Sequence, residues 1–198
     1  MNIQNARMIF NAHNGIMKTK EIHQSKIYSH YLSNLIKQGH VHRIRQGYYQ
    51  WKDERIFSET VVITSLFPDA VLCRESAMQY YGYSDRTPDA WYLAVDRDCT
   101  RSRFKLDYPI VKPVLYSSEQ MEMGVESVLI DSTPIKIFNR EHIICDCLRH
   151  QNTMDAEIFN KAIQGYIKDS NKNIPRLMEY AKLLHTEKKV RSMIGIWL

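Results

Sequence analysis

The amino-acid sequence predicts an α+β protein with two parts. Its first 52 residues carry short helical patterns and then a basic two-stranded hairpin. The middle of the chain holds short apolar runs typical of strands, such as Ala90–Val95 and Val111–Tyr116. The last third changes to apolar stripes at helical spacing. We therefore expect an N-terminal domain over residues 1–52 and a C-terminal domain over residues 53–198, the latter a mixed α+β domain with a small sheet and a helical C-terminal third.

Apolar spacing and stop signals place the N-terminal helices. Three helices are predicted, at Ile3–His13, Lys20–Gln24 and Tyr28–Gln38. Asn14-Gly15 ends the first helix, and Gly39 ends the third at a position that needs positive φ. Thr19 is placed to cap the second helix, which Ser25–Ile27 then join to the third by a turn. The inward face of the third helix consists of Leu32, Leu35 and Ile36.

A hairpin follows these helices. His40–Arg45 and Tyr48–Trp51 are its strands, and Gln46-Gly47 is its turn, where glycine supplies the backbone freedom. Val41 and Ile44 break strict alternation, which predicts a bulge. Two short helices joined by a turn and followed by such a hairpin are typical of a winged helix-turn-helix, a DNA-binding module.

The C-terminal domain is predicted to begin after Lys52. Its helices are expected at Glu54–Phe67 and Glu75–Tyr81, and in three later segments whose apolar stripes begin at Ile143, Ala156 and Ile174, with a last helix at Glu187–Ile194. Besides the two strands above, Val128–Asp131 and Ile135–Phe138 are predicted to pair across Ser132-Thr133-Pro134.

Charge separates the same two parts. Residues 1–52 contain eight lysines and arginines and one acid, Glu21, so their net charge is +7. The whole chain carries +5, and the remaining 146 residues therefore carry −2. A basic module joined to a near-neutral body indicates that the first part meets a polyanion and the second does not.

Composition narrows the class of protein further. Apolar residues make up 44% of the chain, which is enough for a core. No run approaches the roughly 18 apolar residues that span a bilayer, and the start MNIQNARMIFNAHNG lacks the apolar stretch of a signal peptide. The four cysteines do not form a disulfide pattern in a chain of this length. We therefore expect a cytoplasmic protein with reduced thiols and no membrane partner.

The third helix and the hairpin supply the candidate DNA-binding residues. Short polar side chains off the apolar face of the helix can reach base edges, and asparagine suits adenine. Lysines near helix N-termini favour phosphate, and an arginine on the wing can enter the minor groove or hold flanking phosphates. The candidates are Lys18, Thr19, Lys20, Lys26, Ser29, His30, Tyr31, Ser33, Asn34, Lys37, Arg43, Arg45 and Gln46. A winged helix can also serve as a protein-contact module, and that alternative remains open here.

Enzyme motifs are weak by comparison. Cys145-x-Cys147 is half a metal site without a second pair, and Cys147 falls on an apolar stripe that indicates core. His142 and His150 are expected as surface or capping groups. Asp131 and Lys136 resemble the acid and lysine of some nucleases, but the second acid beside the lysine is missing. We expect no catalytic residues, no metal and no cofactor, and we keep a nuclease recruited by the winged helix as the alternative function.

Motifs along the whole chain resemble those of AbiEi-type antitoxins, from bacterial abortive-infection toxin–antitoxin systems. The resemblance starts with Thr19 through Tyr49 and continues in FPDAVLCRESAMQYYGYSDRTPDAWYLAV (Phe67–Val95). It extends to IFNREHIICDCLRH (Ile137–His150), a helix led by Glu141 with a central Asp146, and to IPRLMEYAKLL (Ile174–Leu184). This chain departs from the pattern at Cys145 and Cys147, where apolar residues are more usual. For Asp146 we expect a buried, capping or ion-paired role.

The resemblance implies a function that the residues alone do not give. Such antitoxins bind inverted repeats in double-stranded DNA of their own promoter and repress it. Their C-terminal domain counters a nucleotidyltransferase-like toxin in a type IV system, in which antitoxin and toxin form no stable complex. The implied role for this chain is therefore a phage-defence antitoxin and transcriptional autorepressor.

Overall fold

The computed structural model describes residues 2–52 and 58–195, which form a mixed α+β protein. The chain divides into two compact units. The first consists of the described parts of Met1–Pro68 with Lys105–Pro109 and Ile130–Thr133, and the second of Asp69–Phe104, Ile110–Leu129 and the described part of Pro134–Leu198. The domain boundary at residue 52 stays a prediction. No helix in the described ranges is long and apolar enough to cross a membrane.

The first unit contains four described helices and a three-stranded sheet. In chain order its elements are α1 (Ile3–Ala12), β1 (Ile16–Lys18), α2 (Thr19–Gln24), α3 (Ser29–Lys37), β2 (Val41–Arg45), β3 (Tyr48–Trp51) and α4 (Glu59–Leu66). Strand β3 lies in the centre of the sheet and pairs antiparallel with both β1 and β2. Apolar residues from all three N-terminal helices and the sheet form one core, which includes Phe10, Met17, Ile22, Ile27, Leu35 and Trp51.

Local signals explain where these elements begin and end. Asn2 caps α1 because its side chain accepts a hydrogen bond from the Asn5 amide at 2.8 Å. Asn14 and Gly15 leave that helix with positive φ, and Gly39 ends α3 at φ 78°. The register of β2 against β3 shifts between Arg43 and Arg45, so the expected bulge is confirmed.

Two details of the N-terminal prediction were wrong, concerning Thr19 and Ile36. Thr19 is the first residue of α2 and not its cap. Instead, the Glu21 carboxylate accepts a hydrogen bond from the Lys18 amide at 2.7 Å, so this amide at the start of the helix has a partner. Ile36 is 38% exposed, whereas Leu32 and Leu35 are buried. The helix before Pro68 begins at Glu59, capped by Ser58, and the earlier part of that prediction falls on residues 53–57, outside the described ranges.

The second unit is built on a five-stranded mixed sheet. Its strands are β4 (Val71–Leu72), β5 (Trp91–Asp96), β6 (Val111–Tyr116), β7 (Val125–Ile130) and β8 (Thr133–Phe138), in the spatial order β6-β5-β4-β8-β7. Strand β5 runs parallel to β6 and antiparallel to β4, and β4 runs parallel to β8. Strand β6 is therefore an edge strand.

Helices complete this unit. They are α5 (Arg74–Tyr80), α6 (Ser118–Glu122), α7 (Arg140–Arg149), α8 (Ala156–Lys168), α9 (Ile174–Leu183) and α10 (Glu187–Met193). Helix α7 lies in the middle of the core, because every residue from Glu141 to Leu148 is buried. Its cap is Asn139, whose Oδ1 accepts from the His142 amide at 3.1 Å. The apolar stripes predicted for the last third are confirmed by buried Phe159, Tyr166, Leu177 and Ala181.

The sequence prediction missed or displaced four features of the second unit. It omitted β4, a central strand of two residues, and the single-turn helix α6. The turn between β7 and β8 is formed by Asp131 and Ser132, both with positive φ, whereas Thr133 and Pro134 already belong to β8. Strand β7 also begins earlier than expected, at Val125.

Candidate nucleic-acid interface

Helices α2 and α3 are held together by a short turn with a fixed backbone. The amides of Ser25 and Lys26 donate to the carbonyls of Glu21 and His23 at 2.9 and 3.0 Å, and the Ile27 amide donates to the Ile22 carbonyl at 3.1 Å. Ile22 and Ile27 are fully buried and anchor the turn in the core. Lys26 has a φ of 58°, so its side chain leaves the turn from a left-handed backbone and is exposed. The turn therefore fixes the start of α3.

Helix α3 separates an anchored face from a polar face. Leu32 and Leu35 are buried in the core of the first unit. The opposite side carries exposed Ser29, His30, Ser33 and Lys37, and Asn34 lies half-buried beside them. The Asn34 amide nitrogen is 3.5 Å from His30 Nδ1, so the two side chains lie against each other one turn apart. All five side chains can donate or accept hydrogen bonds outside the protein.

Tyr31 does not belong to that polar face. It was expected off the apolar side of the helix, but it is half-buried and packs against the core of the first unit. Its hydroxyl is buried and has no hydrogen-bond partner in the described part of the chain. An α-helix turns by about 100° per residue, so Tyr31 lies on the same face as Leu35, one turn away. Its ring is therefore directed toward the apolar core.

The hairpin turn is fastened to the start of α2. Both the amide and the hydroxyl of Thr19 donate to the Gly47 carbonyl, at 2.9 and 3.3 Å. Gly47 has a φ of 80°, which the tight turn requires. Lys18 Nζ lies 5.8 Å from the centre of the Tyr48 ring, within the range of a cation–π contact. Thr19 and Lys18 thus both contact residues of the hairpin, while Lys20 is exposed.

The two arginines of strand β2 differ in their surroundings. Arg43 is exposed, and its Nε donates to the Arg45 carbonyl at 3.4 Å. Arg45 is half-buried: its Nη2 donates to the Leu66 carbonyl at 2.9 Å, and its guanidinium lies 4.1 Å from the Tyr48 ring centre and 5.1 Å from that of Phe67. Arg45 therefore connects the hairpin to the end of α4, and Arg43 and Gln46 are exposed polar side chains of the hairpin.

The electrostatics of this surface favour an anion. Glu21 is the only acid in residues 1–52, and its carboxylate is engaged by the Lys18 amide. Burial, with a smaller contribution from the charge of Lys52, lowers the pKa of His42, so that side chain is neutral at pH 7. The net charge of +7 on residues 1–52 is carried by their lysines and arginines.

Sequence reasoning missed two exposed groups next to this surface. Tyr28, which directly precedes α3, is 71% exposed. His23 lies in the last turn of α2 and is also exposed. The predicted third helix included Tyr28, whereas Tyr28 is the residue that directly precedes α3. Its phenol can donate a hydrogen bond to a phosphate oxygen.

The residues considered for enzyme chemistry have internal partners. His142 was expected at the surface or as a cap and is instead fully buried, stacked on Phe138 at 3.8 Å, with its Nδ1 2.7 Å from the Met123 carbonyl oxygen. Burial raises the pKa of the Cys145 and Cys147 thiols, so both stay protonated. Asp131 accepts a hydrogen bond from the Thr60 hydroxyl at 3.1 Å.

Asp146 is buried and ion-paired, as expected. Its carboxylate accepts from the Tyr116 hydroxyl at 2.5 Å and lies 3.3 Å from His150 Nδ1. Burial alone would raise the pKa of Asp146, but the hydrogen bonds from His150 and Tyr116 outweigh it and lower that pKa. Among the described residues, no three histidine, cysteine or acidic side chains are grouped closely enough to hold a metal ion.

Comparison with known proteins does not assign this chain to a family. No protein family and no curated protein matches this chain. Its function therefore has to be argued from its own residues and from the motifs quoted above.

Proposed function

We propose that this chain is an AbiEi-type antitoxin and autorepressor whose first unit is a winged helix-turn-helix that binds double-stranded DNA. One observation carries the DNA-binding part. Helix α3 is anchored by Leu32 and Leu35 and turns a row of small polar side chains outward. A helix with that division of faces fits the major groove, where short polar side chains reach base edges.

The hairpin supports the same proposal. In this account Gly47 brings the wing turn to the start of α2, Arg43 and Gln46 contact the flanking backbone or minor groove, and Arg45 holds the wing in place. Lys18, Lys20 and Lys26 precede α3 in the chain, Lys37 is its last residue, and all four favour phosphates. The net charge of +7 on residues 1–52 is the electrostatic counterpart of this contact surface.

The antitoxin part of the proposal rests on the resemblance. The second unit keeps the Glu-led helix with its central acid as the buried helix α7, in which Glu141 accepts from Tyr166 and the Asn173 amide. In this account the DNA contacts serve autorepression at inverted repeats in the chain's own promoter. Opposition to a nucleotidyltransferase-like toxin belongs to the second unit and needs no stable complex with that toxin.

Salt dependence of DNA binding tests the placement of the interface. Purified full-length protein is titrated onto a duplex covering the region upstream of its own reading frame, at several chloride concentrations. Arg43→Ala is expected to weaken binding and to reduce the slope of log K against log salt by about one, the share of one phosphate contact. Arg7→Ala is the matched control, since it removes one charge from α1 in the same unit. Equal slopes for the two variants would place the contact elsewhere.

A cell-based comparison tests the division of labour. The double variant Asn34→Ala, Arg43→Ala is expected to lose repression of a promoter reporter and to keep protection against the co-expressed toxin. Both side chains lie outside the core cluster of the first unit, so the fold is retained. Loss of protection at wild-type protein levels would contradict the proposed division between the two units.

A further inference from the structure

A cleft in the second unit gathers positively charged side chains. It has a volume of about 340 Å³ and lies along the edge strand β6. Its polar lining consists of Arg74, Arg97, Gln120, Asp146, Arg149 and His150. This volume is at the lower end of the roughly 300–1,000 Å³ found for small-molecule sites. Three guanidinium groups face one carboxylate there, so the cleft carries a net positive charge.

The one acid of the cleft is already engaged. Asp146 accepts a hydrogen bond from Tyr116, and Arg74 Nε lies 3.9 Å from its Oδ2, beyond hydrogen-bond distance. His150 Nδ1 lies 3.0 Å from the Asp146 carbonyl and 3.3 Å from its carboxylate. Asp146 therefore orients its neighbours and does not neutralise the remaining arginines.

Three arginines of the cleft retain hydrogen-bond donors for a ligand. Arg74 Nε is buried and has no hydrogen-bond partner in the described part of the chain. Arg97 and Arg149 are exposed, and neither has an acid within ion-pair distance among the described residues. Unpaired buried donors are costly, and an arginine fork matches the oxygens of a phosphate group.

The backbone holds Arg74 in an unusual conformation. Its φ is 46°, in the left-handed region, and it lies at the first position of α5, one residue after Cys73, which follows β4. A residue with a Cβ adopts that conformation less favourably than a right-handed one. Strain of this kind persists where a side chain must be aimed at a particular place. Arg74 lines the cleft beside Asp146.

Apolar side chains line the rest of the cleft. Pro113, Val114 and Leu115 of β6 contribute to it, and Leu115 is 40% exposed although it is a large apolar residue. Gln120 Oε1 accepts from the Ser117 amide at 3.2 Å, which leaves its amide nitrogen as a further donor. Charged donors beside an apolar wall suit a small molecule that has both an anionic and an organic part.

We propose that this cleft binds the phosphate group of a small phosphorylated molecule through Arg74, Arg97 and Arg149. The organic part of the molecule rests on the β6 side of the cleft. The site is separate from the DNA-binding surface proposed above and does not depend on it.

Calorimetric titration of the full-length protein in a chloride buffer without phosphate tests this site. The probes are inorganic phosphate, pyrophosphate and adenosine monophosphate. Arg97→Gln and Arg149→Gln are each expected to weaken binding about tenfold or more, because each removes a charged hydrogen-bond donor. Both residues are exposed, so the variants keep the fold. Arg101→Gln is the matched control: it is an exposed arginine of the same unit outside the cleft and is expected to bind like wild type.

The outcomes separate the sources of the phosphate. Tighter binding of adenosine monophosphate than of inorganic phosphate supports a phosphate ester whose organic part rests on β6, and the reverse order would contradict that part of the proposal. Absence of binding by all three probes at millimolar concentration would overturn it, as would an equal loss in Arg101→Gln. If the two cleft variants weakened binding of duplex DNA and left phosphate binding unchanged, the cleft would belong to a nucleic-acid surface and the proposal would be wrong.

Discussion

Arg43 and Arg45 lie two positions apart on one strand, and their roles differ because their surroundings differ. The sequence treats both as wing arginines. In the folded chain, the Arg45 guanidinium stacks on Tyr48 and donates to the Leu66 carbonyl, a contact across 21 positions of sequence. Periodicity reports only local patterns, so no sequence rule could have found this partner. The same holds for Tyr31 and His142, whose burial depends on residues distant in sequence.

We expect Arg45→Ala to lower the stability of the first unit. The variant removes a charged hydrogen bond to the Leu66 carbonyl and the stacking on Tyr48, which together stabilise by about 1–3 kcal/mol. Hydrogen exchange of the β2 and β3 amides measures the effect region by region. Arg43→Ala, on the same strand and exposed, is the control and is expected to leave exchange unchanged. Identical exchange in both variants would show that Arg45 has no anchoring role.

His150 and Asp146 form a titratable pair in the second unit. The hydrogen bond to Asp146 raises the pKa of His150 above its ordinary value of 6.5, despite partial burial. A raised pKa in the folded state means that protonated His150 stabilises the protein. This contribution is fully present below pH 6.5, the unfolded value, and is lost as pH rises through the raised folded value.

We therefore expect His150→Gln to change how stability depends on pH. Relative to this variant, the wild type should lose unfolding free energy as pH increases from 6.5. Tyr116 faces the same carboxylate, and burial raises its pKa, so Tyr116 stays protonated across this range. Urea unfolding at a series of pH values in a buffer without phosphate measures the difference. A constant difference between wild type and variant from pH 6 to 9 would contradict the pairing.

The helices and strands were more predictable than the contacts. Stripes at helical spacing found α3, α8 and α9, because one face of each packs on a core. The bulge of β2 followed from the broken alternation of Val41 and Ile44. Strand β4 was missed because two residues are too few to show a period. The turn before β8 was predicted at Ser132-Thr133-Pro134, since proline is typical of turns. The turn is instead formed by Asp131 and Ser132, which adopt left-handed backbones.

Gly124 sets the geometry at the start of α7. Its φ is 67°, and its carbonyl accepts from the Asn139 amide at 2.7 Å. A Cβ at this position would lie 2.7 Å from Asn139 Oδ1, the atom that caps α7. The glycine therefore leaves space for the cap as well as supplying backbone freedom.

We expect Gly124→Ala to destabilise the second unit by about 2 kcal/mol or more, from backbone strain and loss of the cap together. Gly82→Ala is the matched control, because Gly82 has a φ of 71° and nothing within 4 Å of an added Cβ. The control should cost only the strain, about 1 kcal/mol. Chemical denaturation of both variants gives the comparison, and equal losses would rule out the contact with Asn139.

For the whole chain, charge and connectivity indicate two different tasks. The net charge of +7 on residues 1–52 could be read from sequence, and so could the order of helix, turn, helix and hairpin. The cleft in the second unit could not, because Arg74, Arg97 and Arg149 come together only through the folding of β4, β5 and α7. We therefore propose two tasks for the chain, DNA binding by the first unit and binding of a small ligand by the second.

The central claim is that α3 reads base edges. Fluorescence anisotropy tests it most directly. It measures the affinities of wild type, Asn34→Ala and Asn5→Ala for the upstream duplex and for a scrambled duplex of equal length. Asn5 is an exposed asparagine on α1 and serves as the control. Asn34→Ala is expected to lose about 1–3 kcal/mol on the upstream duplex and almost nothing on the scrambled one. Equal losses on both duplexes, or none on either, would contradict base reading by α3.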